Sequence, residues 1–182
     1  YTGGASLAAA IAGAEVTHID SSGPTVAWAK RNAEASGIAD LPIRWLVEDA
    51  MKFIERECRR GNYYDGVIAD PPTYGHGPNG RPFKFRQHLG ELMELCGELL
   101  GVSVRALSDT HTQMVNPVIP GRFFLFSCHA PGFGPTEAAL AVSKVLDDSG
   151  GAEMTGRPLV LESGDGRKLD AGVAVRWSAP SL

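Results

Sequence analysis

An α/β fold with a mostly parallel sheet is predicted by three observations on this 182-residue chain. Short apolar runs each end in an acid, helical patterns lie between those runs, and two final strands follow one another with no helix between them. Residues 15–20 end at Asp20, residues 43–47 lead into Glu48-Asp49, and residues 64–70 end at Asp70. Alternation of strand and helix implies parallel strands joined by right-handed crossovers. The closing pair implies an antiparallel last strand, so the expected sheet is doubly wound, parallel in its body and antiparallel at its C-terminal end.

Each element has a local reason. Tyr1-Thr2-Gly3-Gly4-Ala5-Ser6 is a small-residue corner running into an alanine-rich helix through residue 12. Glycine there permits a positive φ, and the amides of a helix start suit a polar or anionic group. The strand at 15–20 places an acid where nucleotide-binding α/β folds hold ribose hydroxyls. Ser21-Ser22-Gly23-Pro24 is turn and helix-start chemistry, and Val26, Ala29 and Ala33 recur at helical spacing before Gly37 ends the helix. After the strand at 43–47, Met51, Ile54 and Cys58 define the expected buried stripe of a third helix. Leu89, Leu92, Met93, Cys96, Leu99 and Leu100 make a strongly amphipathic helix. Residues 101–120 read mainly as loop, 123–126 as a buried strand ending in Ser127-Cys128-His129, and 136–146 as a helix. The last strands are expected at 159–161 and 173–177, around Gly164-Asp165-Gly166.

Composition narrows the function. With 43% hydrophobic and 21% charged residues the chain suits one soluble domain, and 1–182 is taken as that single domain. No apolar run reaches the roughly 20 residues of a membrane span and no secretory leader is present, so a cytoplasmic location and no membrane partner are expected. Three separated cysteines without a Cys-x-x-Cys argue against a disulfide framework and against a metal site. A net charge of −4 offers no global attraction to phosphate backbones, so nucleic acid would need a local basic patch. The oligomeric state is not legible.

The chemistry concentrates at Asp70-Pro71-Pro72-Thr73-Tyr74-Gly75. Two prolines stop the strand at its carboxylate, and ligands of open parallel sheets bind beyond the carboxyl ends of the strands. Asp70, Thr73 and Tyr74 are therefore expected to face a pocket. Beyond it, Arg81-Pro82-Phe83-Lys84-Phe85-Arg86 interleaves cations with phenylalanines, a pattern suited to phosphates and stacked bases, although the same phenylalanines also suit the anchoring of a loop.

Taken together, the Tyr-Thr-Gly-Gly-Ala-Ser corner, the acid after the next strand, Glu-Asp after the following one and Tyr-Asp-Gly-Val-Ile-Ala-Asp-Pro-Pro-Thr-Tyr-Gly resemble class I S-adenosylmethionine-dependent methyltransferases. Within that class they resemble the branch of bacterial ribosomal RNA large-subunit methyltransferases. The resemblance implies a Rossmann-like methyltransferase sheet, S-adenosylmethionine as cofactor and an RNA substrate. It implies that the corner of Tyr1, Thr2, Gly3 and Gly4 lies near the methionine part of the cofactor, that Asp20 takes the ribose and Asp49 the adenine amine. Asp70 and Pro71 complete the expected cofactor contacts, and Thr73, Tyr74, Arg81, Lys84 and Arg86, singled out above from the residues themselves, make the expected substrate side. The family's first strand would precede Tyr1, so the chain is expected to be an N-terminally truncated catalytic domain, lacking also the RNA-binding N-terminal domain of related enzymes.

Two acceptor chemistries remain open. Methylation at a cytosine carbon needs a thiolate that adds to the base, and Ser127-Cys128-His129 resembles the Ser/Thr-Cys-Ser pattern of ribosomal cytosine methyltransferases, with histidine in place of the final serine. Methylation at a nitrogen needs only an oriented amine, for which Asp70, the Pro71 carbonyl and Tyr74 serve; Cys128 would then be core. Both routes need a base splayed from its stack. Two other classes stay in view: a catalytically silent cofactor-binding module, and a nicotinamide-dependent oxidoreductase, whose Gly-x-Gly-x-x-Gly corner is missing here.

Overall fold

The computed structural model describes residues 2–76, 82–102, 120–146 and 151–180. The chain divides into two compact units, residues 1–53 with 76–81, and residues 54–75 with 82–182.

In the first unit, Gly3 adopts φ 83° and opens helix α1 (Gly4–Ile11). Strand β1 (Val16–Asp20) follows, then α2 (Gly23–Ala35), β2 (Ile43–Val47) and the start of α3 (Ala50–Arg59). Ser22 caps α2 by accepting the Thr25 amide at 3.3 Å, Pro24 lies in its first turn, and Gly37 takes φ 70° just past its end. The buried face of α2 is Val26, Ala29 and Ala33, as the spacing predicts. Strands β1 and β2 are parallel in the register Val16↔Ile43 to Asp20↔Val47. The Glu48 amide donates to the Asp20 carbonyl at 3.0 Å, continuing the ladder one step past the strand ends. Both acidic corners therefore leave the same edge of this pair.

Helix α3 departs from expectation. Its buried residues are Phe53, Ile54 and Glu57, with Met51 and Cys58 only half-buried. The stripe is rotated because Glu57 is not left bare: its carboxylate accepts Asn62 Nδ2 at 2.9 Å and Arg60 Nη1 at 3.0 Å, which together hold it below the usual carboxylate range. Satisfied in this way, a carboxylate occupies a position that periodicity assigns to an apolar side chain.

In the second unit, β3 (Gly66–Ala69) is followed by the short strands β4 (Tyr74–His76) and β5 (Pro82–Lys84), which pair with each other, and by α4 (Phe85–Leu99). Then come β6 (Phe123–Cys128), α5 (Pro135–Ser143), β7 (Glu153–Glu162) and β8 (Lys168–Ser178). The strand order is β3-β6-β8-β7, with β3 parallel to β6 and β8 antiparallel to both β6 and β7. The core is laid down by cross-strand pairs on one face: Phe124 opposite Trp177, Phe126 opposite Val175 and Cys128 opposite Val173, all buried. Helix α4 buries Leu89, Leu92, Met93, Leu95, Cys96 and Leu99, and its first residue, Phe85, stacks on Phe126 and meets Phe133 edge-on. Burial of each such side chain stabilises by about 1.5–3 kcal/mol. Gly66 makes room for the Phe123 ring, which would overlap any Cβ placed there.

The α/β class, the parallel pairs and the antiparallel last strand agree with the sequence. Two details do not. The β4–β5 pair lies where the sequence suggests only a loop, and β7 and β8 run to 10 and 11 residues, well beyond the short strands expected. Gly156 and Pro158 look like breakers, but β7 is an edge strand with a register shift between Pro158 and Val160, where a residue without an amide proton is tolerated. Of the expected loop at 101–120, residues 103–119 lie outside the described residues. No helix among the described residues is long and apolar enough to cross a membrane.

Candidate functional site

The first unit presents a glycine corner and two acids. Gly3 is doubly constrained, since its φ is positive and an added Cβ would lie 2.8 Å from the Ala29 Cβ of α2. An added Cβ on Gly4, by contrast, would meet only Thr2 Oγ1 at 3.8 Å. The Thr2 carbonyl accepts Asn32 Nδ2 at 2.8 Å, tying the corner to α2 a second time. No side chain caps α1, so its leading amides are not claimed by a capping group. At the edge of β1, Asp20 Oδ1 accepts the Ser22 amide at 2.7 Å, and beyond β2 Asp49 Oδ1 accepts the Lys52 amide at 3.2 Å. Each acid is thus oriented by the start of the helix that follows it. Tyr1, the remaining member of this expected set, lies outside the described residues.

Beneath the corner, His18 on β1 is buried, with Nδ1 at 2.8 Å from Ser6 Oγ of α1 and its ring 5.0 Å from that of Trp45. Burial pushes its pKa below the ordinary value, so the ring is held neutral. Nε2 has no hydrogen-bond partner among the described residues. The sequence offered no signal for this contact between α1 and β1.

The second unit carries the acidic corner itself. Asp70 follows β3, and because Ala69 pairs with Phe126 the next residue of β6, Ser127, comes alongside it. Ser127 Oγ donates to Asp70 Oδ1 at 3.0 Å. Thr73 Oγ1 donates to the His129 carbonyl at 2.8 Å, so the segment after Pro71-Pro72 is tied to the segment after β6. A cleft of about 350 Å³ opens at these strand ends, with Asp70, Ser127 and His129 in its wall.

Cys128 backs this cleft and is 2% exposed. Burial pushes its thiol pKa up, the Ala130 amide offsets part of that, and the nearby Asp70 carboxylate adds to it. The thiol therefore stays protonated at neutral pH, the opposite of an activated nucleophile. Cys96 and Cys58 are pushed up to about 12 and about 11, chiefly by burial.

Tyr74, expected as an aromatic wall, is 81% exposed and does not line the cleft. The Thr73 anchor leads straight into β4, which takes Tyr74 away from the strand ends. The hairpin side of the cleft is lined instead by Leu159 and Leu161 of β7 and by Leu169, Asp170 and Ala171 of β8. In the basic segment, Phe85 is core rather than a stacking platform. Lys84 is exposed, and exposed Arg86 donates from Nη2 to the carbonyls of Pro131 and Gly132 at 3.3 and 3.2 Å. Arg81 lies outside the described residues. Among the described residues no group of His, Cys, Asp and Glu is arranged to hold a metal ion.

No protein-family model matches the chain. A ribosomal RNA large subunit methyltransferase K/L of Shewanella baltica is 39% identical over 77 residues, which are 42% of this chain and 10% of that protein. A ribosomal RNA large subunit methyltransferase I of Photobacterium profundum is 30% identical over 129 residues, 70% of this chain and 28% of that one. The crystal structure of a SAM-dependent methyltransferase from Agrobacterium tumefaciens superposes with a TM-score of 0.81 at 33% identity, over 98% of this chain and 53% of that chain. A methyltransferase solved with S-adenosylhomocysteine superposes with a TM-score of 0.68 at 18% identity, over 97% of this chain and 42% of that one, a likeness of fold. The chain thus matches 10% and 28% of the length of these two curated relatives.

Proposed function

We propose that this chain, similar in sequence and fold to S-adenosylmethionine-dependent methyltransferases and in sequence to ribosomal RNA large-subunit methyltransferases, transfers a methyl group from S-adenosylmethionine to an unpaired base in RNA. The observation that carries the reading is the Asp70–Ser127 pair, a carboxylate oriented by a hydroxyl in a cleft at the carboxyl ends of two parallel strands.

The first unit fits the cofactor. Gly3 leaves a concave corner that a side chain would fill, the uncapped start of α1 offers amides, and Asp20 and Asp49 stand on one edge, held by the Ser22 and Lys52 amides. Thr2, Gly3 and Gly4 would cradle the methionine part, Asp20 the ribose and Asp49 the adenine amine. When bound, S-adenosylmethionine supplies a sulfonium methyl that is already activated for displacement, so the residues of the chain contribute mainly alignment.

In the second unit, Asp70 accepts a hydrogen bond from the base and fixes its rotation, while Ser127 holds the carboxylate in one orientation. Cys128, covered and protonated, favours the route that needs no covalent assist, with a base nitrogen as acceptor. The protein is proposed to work in the cytoplasm. Titration with S-adenosylmethionine, followed by mass analysis of nucleosides from RNA incubated with protein and cofactor, tests this reading. A methylated base nitrogen is expected; cofactor binding without any methylated nucleoside would instead indicate a silent binding module.

A further inference from the structure

The β7–β8 hairpin outruns the sheet it belongs to. Strand β6 ends at Cys128, opposite Val173, so of β8 only residues 173–178 are paired to it. The hairpin continues past that end, with Leu161 opposite Leu169 and Glu162 opposite Lys168. This overhang lies at the edge where Asp70, Ser127 and His129 emerge, and it forms the far wall of their cleft.

Its course is set at two residues. Gly172 has φ 95°, and an added Cβ would sit 2.1 Å from the Cys128 carbonyl oxygen, so β8 can pass over the end of β6 only as glycine. Asp170 Oδ1 accepts the Gly172 amide at 2.9 Å, fixing the bend beside the register shift in β7. Beyond the bend, Leu159 and Leu161 share one face of β7, and Leu169 is the cross-strand partner of Leu161. Leu161 and Leu169 are 61% and 64% exposed, unusual for aliphatic side chains that are cross-strand partners in a cleft wall.

We propose that this leucine face is the surface on which the acceptor base lies, making Leu161 and Leu169 substrate-binding residues for a single unpaired nucleobase of RNA. The proposal deepens the reading of the cleft as an RNA-base site and rests on it. A nucleobase has an apolar face and a polar rim, and the cleft has the matching parts: Leu159, Leu161 and Leu169 on the hairpin, with the Asp170 carboxylate beside them, and the Asp70 carboxylate and Ser127 from the strand ends. The exposed Arg86 guanidinium, held at the carbonyls of Pro131 and Gly132 shortly after His129 in the chain, is a cation available to the phosphate backbone. A base lying on aliphatic rather than aromatic side chains is held by contact area and desolvation, so the wall tolerates any base face and leaves the choice among bases to Asp70.

The test is anisotropy of a fluorescent single-stranded RNA oligonucleotide of mixed sequence, measured for the wild type, for the double substitution Leu161→Ser with Leu169→Ser, and for Leu161→Met. Both leucines are exposed, so the serine variant should fold with an unchanged melting temperature. The double variant is expected to lose affinity for the oligonucleotide by about ten-fold or more while binding S-adenosylmethionine as the wild type does, and Leu161→Met to retain RNA affinity. Equal RNA affinity in the wild type and the serine variant, or no oligonucleotide binding by the wild type, overturns the proposal. Leucine-dependent binding without methyl transfer would leave the wall standing and remove the proposed activity, so the two ideas fail separately.

Discussion

Gly3 carries two separate demands, a left-handed backbone and a contact too close for a β-carbon, while its neighbour Gly4 carries neither. Gly3→Ala is therefore expected to destabilise the protein by about 2–4 kcal/mol, the sum of a left-handed penalty and overpacking against Ala29, whereas Gly4→Ala should be close to neutral in a denaturant melt. Equal effects of the two substitutions would contradict this account of the corner. Asp20 is a different kind of residue, because one of its oxygens already serves the Ser22 amide. Asp20→Asn keeps an oxygen for that amide and removes the charge, so calorimetry should show S-adenosylmethionine binding weakened by about 1.5–3 kcal/mol in a protein of nearly native stability. Undiminished affinity would take the ribose role away from Asp20. At Cys128 the covered thiol gives a third expectation: Cys128→Ser should retain most methyl transfer, and RNA bearing a fluorinated cytosine should form no covalent adduct, whereas adduct formation would restore the nucleophile.

At the scale of elements, the contact between α1 and β1 buries the His18 ring, which disfavours its charged form. Its pKa is lowered in the folded protein by burial, so the unfolded chain binds the proton more readily near the ordinary value of about 6.5. The stabilisation is whole above that value and is lost as pH falls through the lower, folded value. Thermal melts between pH 7.5 and 5 should show a falling melting temperature, with the fall reduced in His18→Gln; the same fall in both proteins would assign it to other groups. The elements themselves were unevenly legible. The strands that end in Asp20 and Asp70 are plain because apolar runs stop at an acid, and α2 and α4 because their apolar spacing is regular. The β7–β8 hairpin was legible only in part, since Gly156 and Pro158 imitate a break and Leu159-Val160-Leu161 has the composition of a buried strand. Composition does not record that a strand overhangs its sheet. The outward path of Tyr74 was hidden for a similar reason, because it depends on a hydrogen bond from Thr73 to a carbonyl 56 residues away.

At the scale of the whole molecule, the two units carry different groups: one bears the glycine corner with Asp20 and Asp49, the other the Asp70–Ser127 pair and the leucines of the hairpin. The positions of the acids were readable because the carboxyl ends of parallel strands are where this architecture puts its chemistry. The partners that orient them, Ser22, Lys52 and Ser127, come from register and helix starts, which the fold alone discloses. This division predicts that cofactor affinity and methyl transfer can be separated by a single substitution. The most direct measurement is transfer of labelled methyl from S-adenosylmethionine to RNA by Asp70→Ala, with cofactor affinity determined on the same preparation. Transfer should fall by about a hundred-fold or more while cofactor affinity changes by less than about three-fold. Transfer at the wild-type rate in that variant would contradict the assignment of Asp70 as the residue that orients the base.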